Sequence, residues 1–294
     1  MSDVDLISEK VRYFRSFQIW PLSQKLDTVQ WRQNFLADEL IFADRLLDRF
    51  VYFCDPMVDA LISGAVRRFF DSEYFRLGSS QAVKNARYAF VYVEGETPNP
   101  ADSGFSFMRR LRDKLRIEES RLLSPDNAIL KHDAFDTFVF VDDFVGSGNQ
   151  MIDTWKRQRK RTDGSTASFL DLASAGKHTF VYCPCLCTEY GKAQLGRKAP
   201  QLQIVPAHLL TESHNASSSS SLIWTGLNVS EGIDFLERAA KRAGFTAHDG
   251  GENDWRGFHK LGLSVGFHDS IPDACLPIYF SDLNSWRPLM KRSP

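Results

Sequence analysis

Nowhere in these 294 residues do apolar side chains run on for the roughly 20 positions that a membrane-crossing helix needs. The amino terminus, Met1-Ser-Asp-Val-Asp, also lacks the charged-then-apolar pattern of an export signal. The expectation is a soluble, cytoplasmic protein with no membrane partner. Excess charge is missing too. Lys+Arg 36 against Asp+Glu 37 gives a formal net charge of -1, without the global basic excess that would by itself mark nucleic acid as the main partner. A disulfide framework is a third absence: five cysteines, an odd number, suit a reducing compartment better than paired bridges. Cys183, Cys185 and Cys187 alternate along one apolar segment, but their spacing is too tight to surround an ion whose ligands usually stand about two to four residues apart. They read as small buried side chains.

What is present is 43% hydrophobic residues, enough for a sizeable core in one large or two modest domains. The most informative stretch is Phe138-Val-Phe-Val-Asp-Asp-Phe-Val-Gly-Ser-Gly-Asn-Gln-Met151. Its apolar start, aromatic and β-branched, predicts a central strand buried on both faces of a parallel sheet. Asp142 and Asp143 stand at the carboxyl end of that strand, where open α/β sheets place their ligands. Adjacent residues point apart, so one carboxylate can face a ligand while the other braces the loop. The pair suits vicinal hydroxyls or a magnesium-bound sugar. After the intervening Phe144 and Val145, Gly146 and Gly148 permit backbone shapes closed to other residues. Ser147, Asn149 and Gln150 add side-chain donors beside converging N–H groups, and such a nest holds a phosphate. Met151, Ile152 and Trp155 then predict the inner side of a helix starting near Asn149, whose positive amino end attracts an anion. Of two other nucleotide motifs, the P-loop is excluded and the dinucleotide loop is only superficially matched. No Gly-x-x-x-x-Gly-Lys-Ser/Thr occurs, and Met151 occupies the third glycine position of a dinucleotide loop. An ordinary strand-turn-helix corner with surface carboxylates is the plain alternative.

Around this motif, strands alternate with helices. Residues 87–93, 178–187 and 202–205 read as strands, with a short one at 261–267. Residues 105–116 and 231–243 read as helices, the latter capped by Asn228 or Ser230, and 188–199 as a short helix and turn. Residues 8–75 are predicted helical, most strongly over 57–70 and over 28–53, where Leu36, Leu40, Ala43, Leu46, Leu47 and Phe50 share a face. The pattern argues for an α/β fold with a mostly parallel sheet flanked by helices. An added N-terminal helical region would occupy 1–80 and the α/β domain 81–294.

Three polar stretches keep two readings each. Arg109, Arg110 and Arg112 form a basic helix face, solvated or turned to an anion. Lys156-Arg-Gln-Arg-Lys-Arg161 complements a helix dipole, or docks nucleic acid or a partner protein. Asn215-Ala-Ser-Ser-Ser-Ser-Ser-Leu222 is too poor in apolar groups to order itself, and is expected to be a disordered surface loop or a mobile lid.

Val-Asp-Asp-Phe-Val-Gly-Ser-Gly-Asn-Gln, residues 141–150, resembles the phosphoribosyl diphosphate signature of type I phosphoribosyltransferases: apolar strand, Asp-Asp, three variable residues, Thr or Ser, Gly, one variable residue, then usually Thr. The resemblance implies a phosphoribosyltransferase-like fold in which Asp142 and Asp143 take the ribose hydroxyls and residues 146–150 the 5′-phosphate. It implies Mg2+ as cofactor, contacted through Asp142 and Asp143, and phosphoribosyl diphosphate or a nucleotide as ligand. It further implies that the loop Glu94-Gly-Glu-Thr-Pro-Asn-Pro-Ala-Asp-Ser-Gly104 touches the diphosphate, with Gly95, Ser103 and Gly104 as candidates. This chain departs from the signature in two ways. Gln150 replaces the usual Thr, and that loop holds three acids and no Lys or Arg to offset a diphosphate.

Pro272-Asp-Ala-Cys-Leu-Pro-Ile278 and Trp286-Arg-Pro-Leu-Met-Lys-Arg292, with Trp31, Asn34, Phe35, Ala43, Leu46, Leu47, Asp48, Tyr52 and Leu61, resemble one bacterial branch of that superfamily. The branch is the phosphoribosyltransferase-like conflict effectors, PRTase-CE, found beside retrons and other phage-defence genes. The resemblance spans about residues 31–292. It implies a defence role in which a partner protein or nucleic acid releases an activity that depletes or modifies a nucleotide pool, or modifies a macromolecule. If catalytic, the chain is expected to substitute at ribose C1 through an oxocarbenium-like state, by positioning and electrostatics. No general acid or base can be assigned. A binding-only sensor or regulatory subunit is the alternative that Gln150 and the acid-only loop favour, and a nucleic-acid-binding accessory protein is a third. The hood that covers the base in this superfamily would come from the N-terminal helices or from Tyr279, Phe280 and Trp286.

Overall fold

The computed structural model describes residues 3–22, 25–95 and 103–292. The chain forms two compact units, one of Val58–Leu209 and one of Met1–Met57 together with Leu210–Pro294. This division differs from the expected 1–80 and 81–294. Its physical basis is a pairing that local periodicity does not encode: Val51–Phe53 lies parallel to Val265–Phe267, with Val51 opposite Val265.

In the unit Val58–Leu209, parallel strands run in the spatial order Leu122–Leu123, Tyr88–Tyr92, Thr137–Val145, Thr179–Thr188, Leu202–Ile204. Counted along the chain this is second, first, third, fourth, fifth. The order reverses between Tyr88–Tyr92 and Thr137–Val145, and such reversal points are where open α/β sheets bind ligands. The fold is the expected α/β one, a mostly parallel sheet flanked by helices.

Both sheet faces are covered, which is why the middle strand is apolar without alternation: Phe138, Val139, Phe140 and Val141 are fully buried. Phe138, Phe140, Phe180 and Tyr182 join Met151, Trp155, Phe169 and Leu195 in one core. On the other face Phe90 meets Phe69 and Phe70 of the helix Asp55–Leu77. Cys183, Cys185 and Cys187 are all buried, and Cys187 packs into the Phe180 core.

In the unit Val58–Leu209 the strands and the longer helices follow the sequence closely. Pro125–Leu130 and Phe169–Ser174 were not legible, because six residues are too few to show a helical period. Their serine caps, Ser124 and Ser168, are the local signal that was there.

In the discontinuous unit the expected helix over 28–53 is broken into Thr28–Arg32 and Leu40–Arg49, followed by the strand Val51–Phe53. Ala43, Leu46, Leu47 and Phe50 are buried as the spacing predicts, but Leu36 falls in the break and is exposed. Glu39 explains the break. Its buried carboxylate accepts the Leu36 N–H (3.1 Å) and is forked by the half-exposed Arg242 (3.0 Å to Oε1), so the second helix restarts against an ion pair.

Tyr279 and Trp286 are buried, Tyr279 stacked on Trp31 (5.7 Å) and Trp286 donating its indole N–H to the Ile278 carbonyl (2.9 Å). Their rings are spent on packing. The serine run is not disordered either. The Asn215 carboxamide oxygen accepts the Ser217 N–H (2.9 Å), Trp224 donates to the Ala216 carbonyl (2.7 Å), and the Ala216 N–H reaches Gly262 O (2.9 Å). Tertiary partners supply order that composition does not show. Among the described residues, no helix is long and apolar enough to cross a membrane.

Candidate functional site

Both loops singled out in the sequence leave the two strands that flank the reversal point. Gly95 follows Tyr88–Tyr92, and residues 142–150 complete Thr137–Val145 and lead into the helix Asn149–Lys156. The aspartate strand runs past Val141, with Asp142 opposite Pro184, Phe144 opposite Leu186 and Val145 opposite Cys187. The two acids are therefore held in a ladder rather than hung on a loop.

They have different surroundings. Asp142 is buried, and its carboxyl accepts the Tyr182 hydroxyl (2.7 Å) and the Asp143 N–H (3.0 Å). Asp143 is half-buried and accepts the Phe144 N–H (2.7 Å). Burial, and next the Asp143 charge, push the Asp142 carboxyl well above the usual carboxylate range, with the Tyr182 hydrogen bond opposing. Burial and the same acid push the Tyr182 hydroxyl up. Asp142 is thus the buried brace and Asp143 the more exposed carboxylate.

A folded-state pKa above the unfolded one means that the native protein holds the extra proton, so this group's contribution to stability declines as pH rises from about 4 towards the raised value. Asp142→Asn keeps the shape, with an oxygen for the Asp143 N–H and an amide for Tyr182. It is expected to flatten that decline. Urea midpoints at about pH 5 and pH 8 should lie closer together in the variant than in the parent, and parallel profiles would refute a raised Asp142 pKa.

Gly148 is left-handed (φ 81°), and a Cβ there would stand 2.9 Å from Leu195 Cγ. Gly146 is not among the left-handed glycines, so one of the two, not both, is required for backbone shape. The glycine loop sits on the first turn of the helix Glu189–Lys198. Thr188 donates its hydroxyl to the Gly146 carbonyl (2.5 Å) and accepts the Gly191 N–H (2.9 Å). Gly148 also serves as N-cap of Asn149–Lys156 and has no side chain to cover that helix's first turn. Ser147 Oγ accepts the Asn149 N–H (3.3 Å), while Gln150 is exposed. Tyr182, Thr188, Gly191 and Leu195 support the site without having been legible as site residues, since they belong to the neighbouring strand and its helix.

An apolar strand carrying two acids, a glycine loop opening a helix, and a strand order reversing beside them agree with the family comparison, in which the PRTase-CE model matches residues 28–292. The chain belongs to the PRTase-CE family. It is phosphoribosyltransferase-like, and the match covers nearly its whole length. No curated protein and no solved structure matches it.

The second loop of this PRTase-CE protein is only partly described. Residues 96–102 and the Ser103 side chain lie outside the described residues. Gly104 opens the helix Ser103–Leu115 at the Tyr92 ring, 2.5 Å from where a Cβ would stand. Glu94, which begins that loop, is buried and paired with Arg157 (2.7 Å) and Arg159. The basic run is accordingly divided: Arg157 and Arg159 turn inward, Arg161 meets His132 (2.6 Å), and Lys156 and Lys160 stay exposed. Arg109 and Arg112 are solvated as a basic face would be, but the Arg110 side chain is 12% exposed and pairs with Asp59, which also takes Lys114 (3.0 Å). Burial, and then the Asp143 and Asp142 charges, push the Cys185 thiol up while Arg110 opposes.

Among the described residues, no three His, Cys, Asp or Glu side chains gather to hold a metal ion. Asp142 is buried against Tyr182, and Asp143, the more exposed of the two, is the carboxylate whose chemistry fits magnesium. Magnesium at phosphate sites typically takes one or two carboxylates and completes its shell with phosphate and water oxygens, so this donor set fits an ion that arrives with the ligand.

Proposed function

We propose that this PRTase-CE protein binds phosphoribosyl diphosphate or a related ribose 5-phosphate ligand with magnesium and acts at ribose C1. The observation that carries the reading is the placement of Asp143 and residues 146–150 together at the strand reversal. Ribose hydroxyls would meet Asp143, and the 5′-phosphate the first turn of Asn149–Lys156 with Ser147. Asp142, buried and held by Tyr182, keeps that strand end in place, and its raised pKa lessens the negative charge that an anionic ligand would meet. Magnesium would offset phosphate charge when bound.

The chemistry is substitution at C1. The bond from C1 to diphosphate breaks, the electron pair leaves with diphosphate, and a nucleophile's lone pair forms the new bond. The contribution of the chain is to hold the sugar while positive charge develops. Family membership supports a role as a cytoplasmic antiphage effector released by a partner. The nucleic-acid reading loses support because Arg157 and Arg159 are turned into the fold.

Isothermal titration with phosphoribosyl diphosphate and Mg2+, beside a screen for diphosphate release over common bases, tests the proposal. Binding with release supports transfer. Binding without release supports the sensor reading, which the exposed Gln150 favours, and absence of binding rejects both.

A further inference from the structure

Glu94 is joined at three points to the segment that begins as the glycine loop. Its N–H donates to Thr154 Oγ1 (3.1 Å), and Thr154 is fully buried on the helix Asn149–Lys156. Its carboxylate takes Arg157 Nη1 (2.7 Å) and the Arg159 guanidinium. Arg159, with a side chain 2% exposed, also donates to the carbonyls of Thr154 (3.0 Å) and Arg157 (2.8 Å), pairs with Asp126 (3.2 Å) and lies over the Phe169 ring (5.4 Å). Glu94 itself stands immediately before Gly95, at the exit of Tyr88–Tyr92.

Such a cluster is a poor way to gain stability alone, because desolvating these charges costs more than apolar packing of the same volume. What it supplies is direction. Two guanidiniums meeting on one carboxylate oxygen, with a backbone amide, fix a single orientation where apolar packing would allow several. The cluster also occupies both arginines, so an anion in the glycine loop would meet amides and not these side chains.

We propose that Glu94 is a positioning residue that locks the exit of Tyr88–Tyr92 to the helix Asn149–Lys156 that opens from the glycine loop, and that Arg157 and Arg159 serve to hold it. The inference rests on the ligand reading above but is testable apart from it. Hydrogen exchange without ligand should show Gly95 and residues 146–150 opening together in Glu94→Gln, about tenfold faster or more, while Thr179–Thr188 keeps its rates. Arg157→Gln, at a side chain 29% exposed, should do the same more mildly and carries the test if Glu94→Gln fails to fold. Titration with ribose 5-phosphate should weaken about tenfold or more in both variants.

Exchange that rises equally across the whole unit, or at Gly95 alone, overturns the lock. Coupled exchange in a protein whose parent binds no ribose 5-phosphate supports the lock and overturns the ligand reading. Unchanged exchange with unchanged affinity overturns the lock and leaves that reading standing.

Discussion

Alanine at Gly191 is expected to cost most of the affinity for ribose 5-phosphate while leaving the protein folded. The added Cβ would stand 2.5 Å from the Gly146 carbonyl oxygen, 2.9 Å from Val145 Cγ1 and 3.2 Å from Thr188 Oγ1. The first of these is backbone and has no rotamer to adopt. Gly191 is itself tied by its N–H to Thr188, so the helix start resists moving and the glycine loop must give way. Two contributions to stability oppose each other: overpacking costs about 1–3 kcal/mol, and alanine in a helix regains about 1 kcal/mol over glycine. The net change in stability is small beside the displacement of the loop. About tenfold or greater loss of affinity, roughly 1.4 kcal/mol or more, is expected by titration, with a melting temperature near that of the parent. Affinity within about twofold of the parent would mean that the loop's seat on Glu189–Lys198 does not shape the phosphate site.

Asp143→Asn is expected to have the second large effect, and Asp142→Asn a much smaller one. A carboxylate bonded to ligand hydroxyls contributes about 1.5–3 kcal/mol per charge-assisted hydrogen bond, so losing the Asp143 charge should weaken binding by one to two orders of magnitude. Asparagine at 143 still offers an oxygen to the Phe144 N–H, so unfolding is not the expected cause. Asp142 is buried and engaged by Tyr182, so it is a brace and not the ligand's own partner, and its raised pKa makes an amide there a small change. The double variant should bind no more tightly than Asp143→Asn alone. Unchanged affinity in Asp143→Asn would reject the assigned ribose contact.

Much of the site was legible because its parts are consecutive. Residues 138–151 carry a buried strand, two acids, a left-handed glycine and a helix start, and each is expressed by local chemistry; the helix begins at Asn149 as its spacing predicts. Gly146 shows the limit of that reading. A glycine in a loop suggests an unusual backbone, yet Gly146 matters through its carbonyl, which Thr188 and the missing Gly191 side chain accommodate. The run 156–161 shows the same limit from the side of charge. Six polar residues read as a solvated or docking face, whereas alternate arginines turn inward because a buried glutamate from the loop after Tyr88–Tyr92 awaits them.

The amino-acid order alone determined the alternation of strands and helices and the corner that follows Val141, since apolar runs, turn residues and caps act over a few neighbouring positions. Only the tertiary structure decided which aspartate is buried, which arginines are enclosed, and that Val51–Phe53 and Val265–Phe267 share one unit. Those outcomes depend on burial and on partners brought from distant parts of the chain. Burial and long-range pairing exist only once the backbone has closed around them.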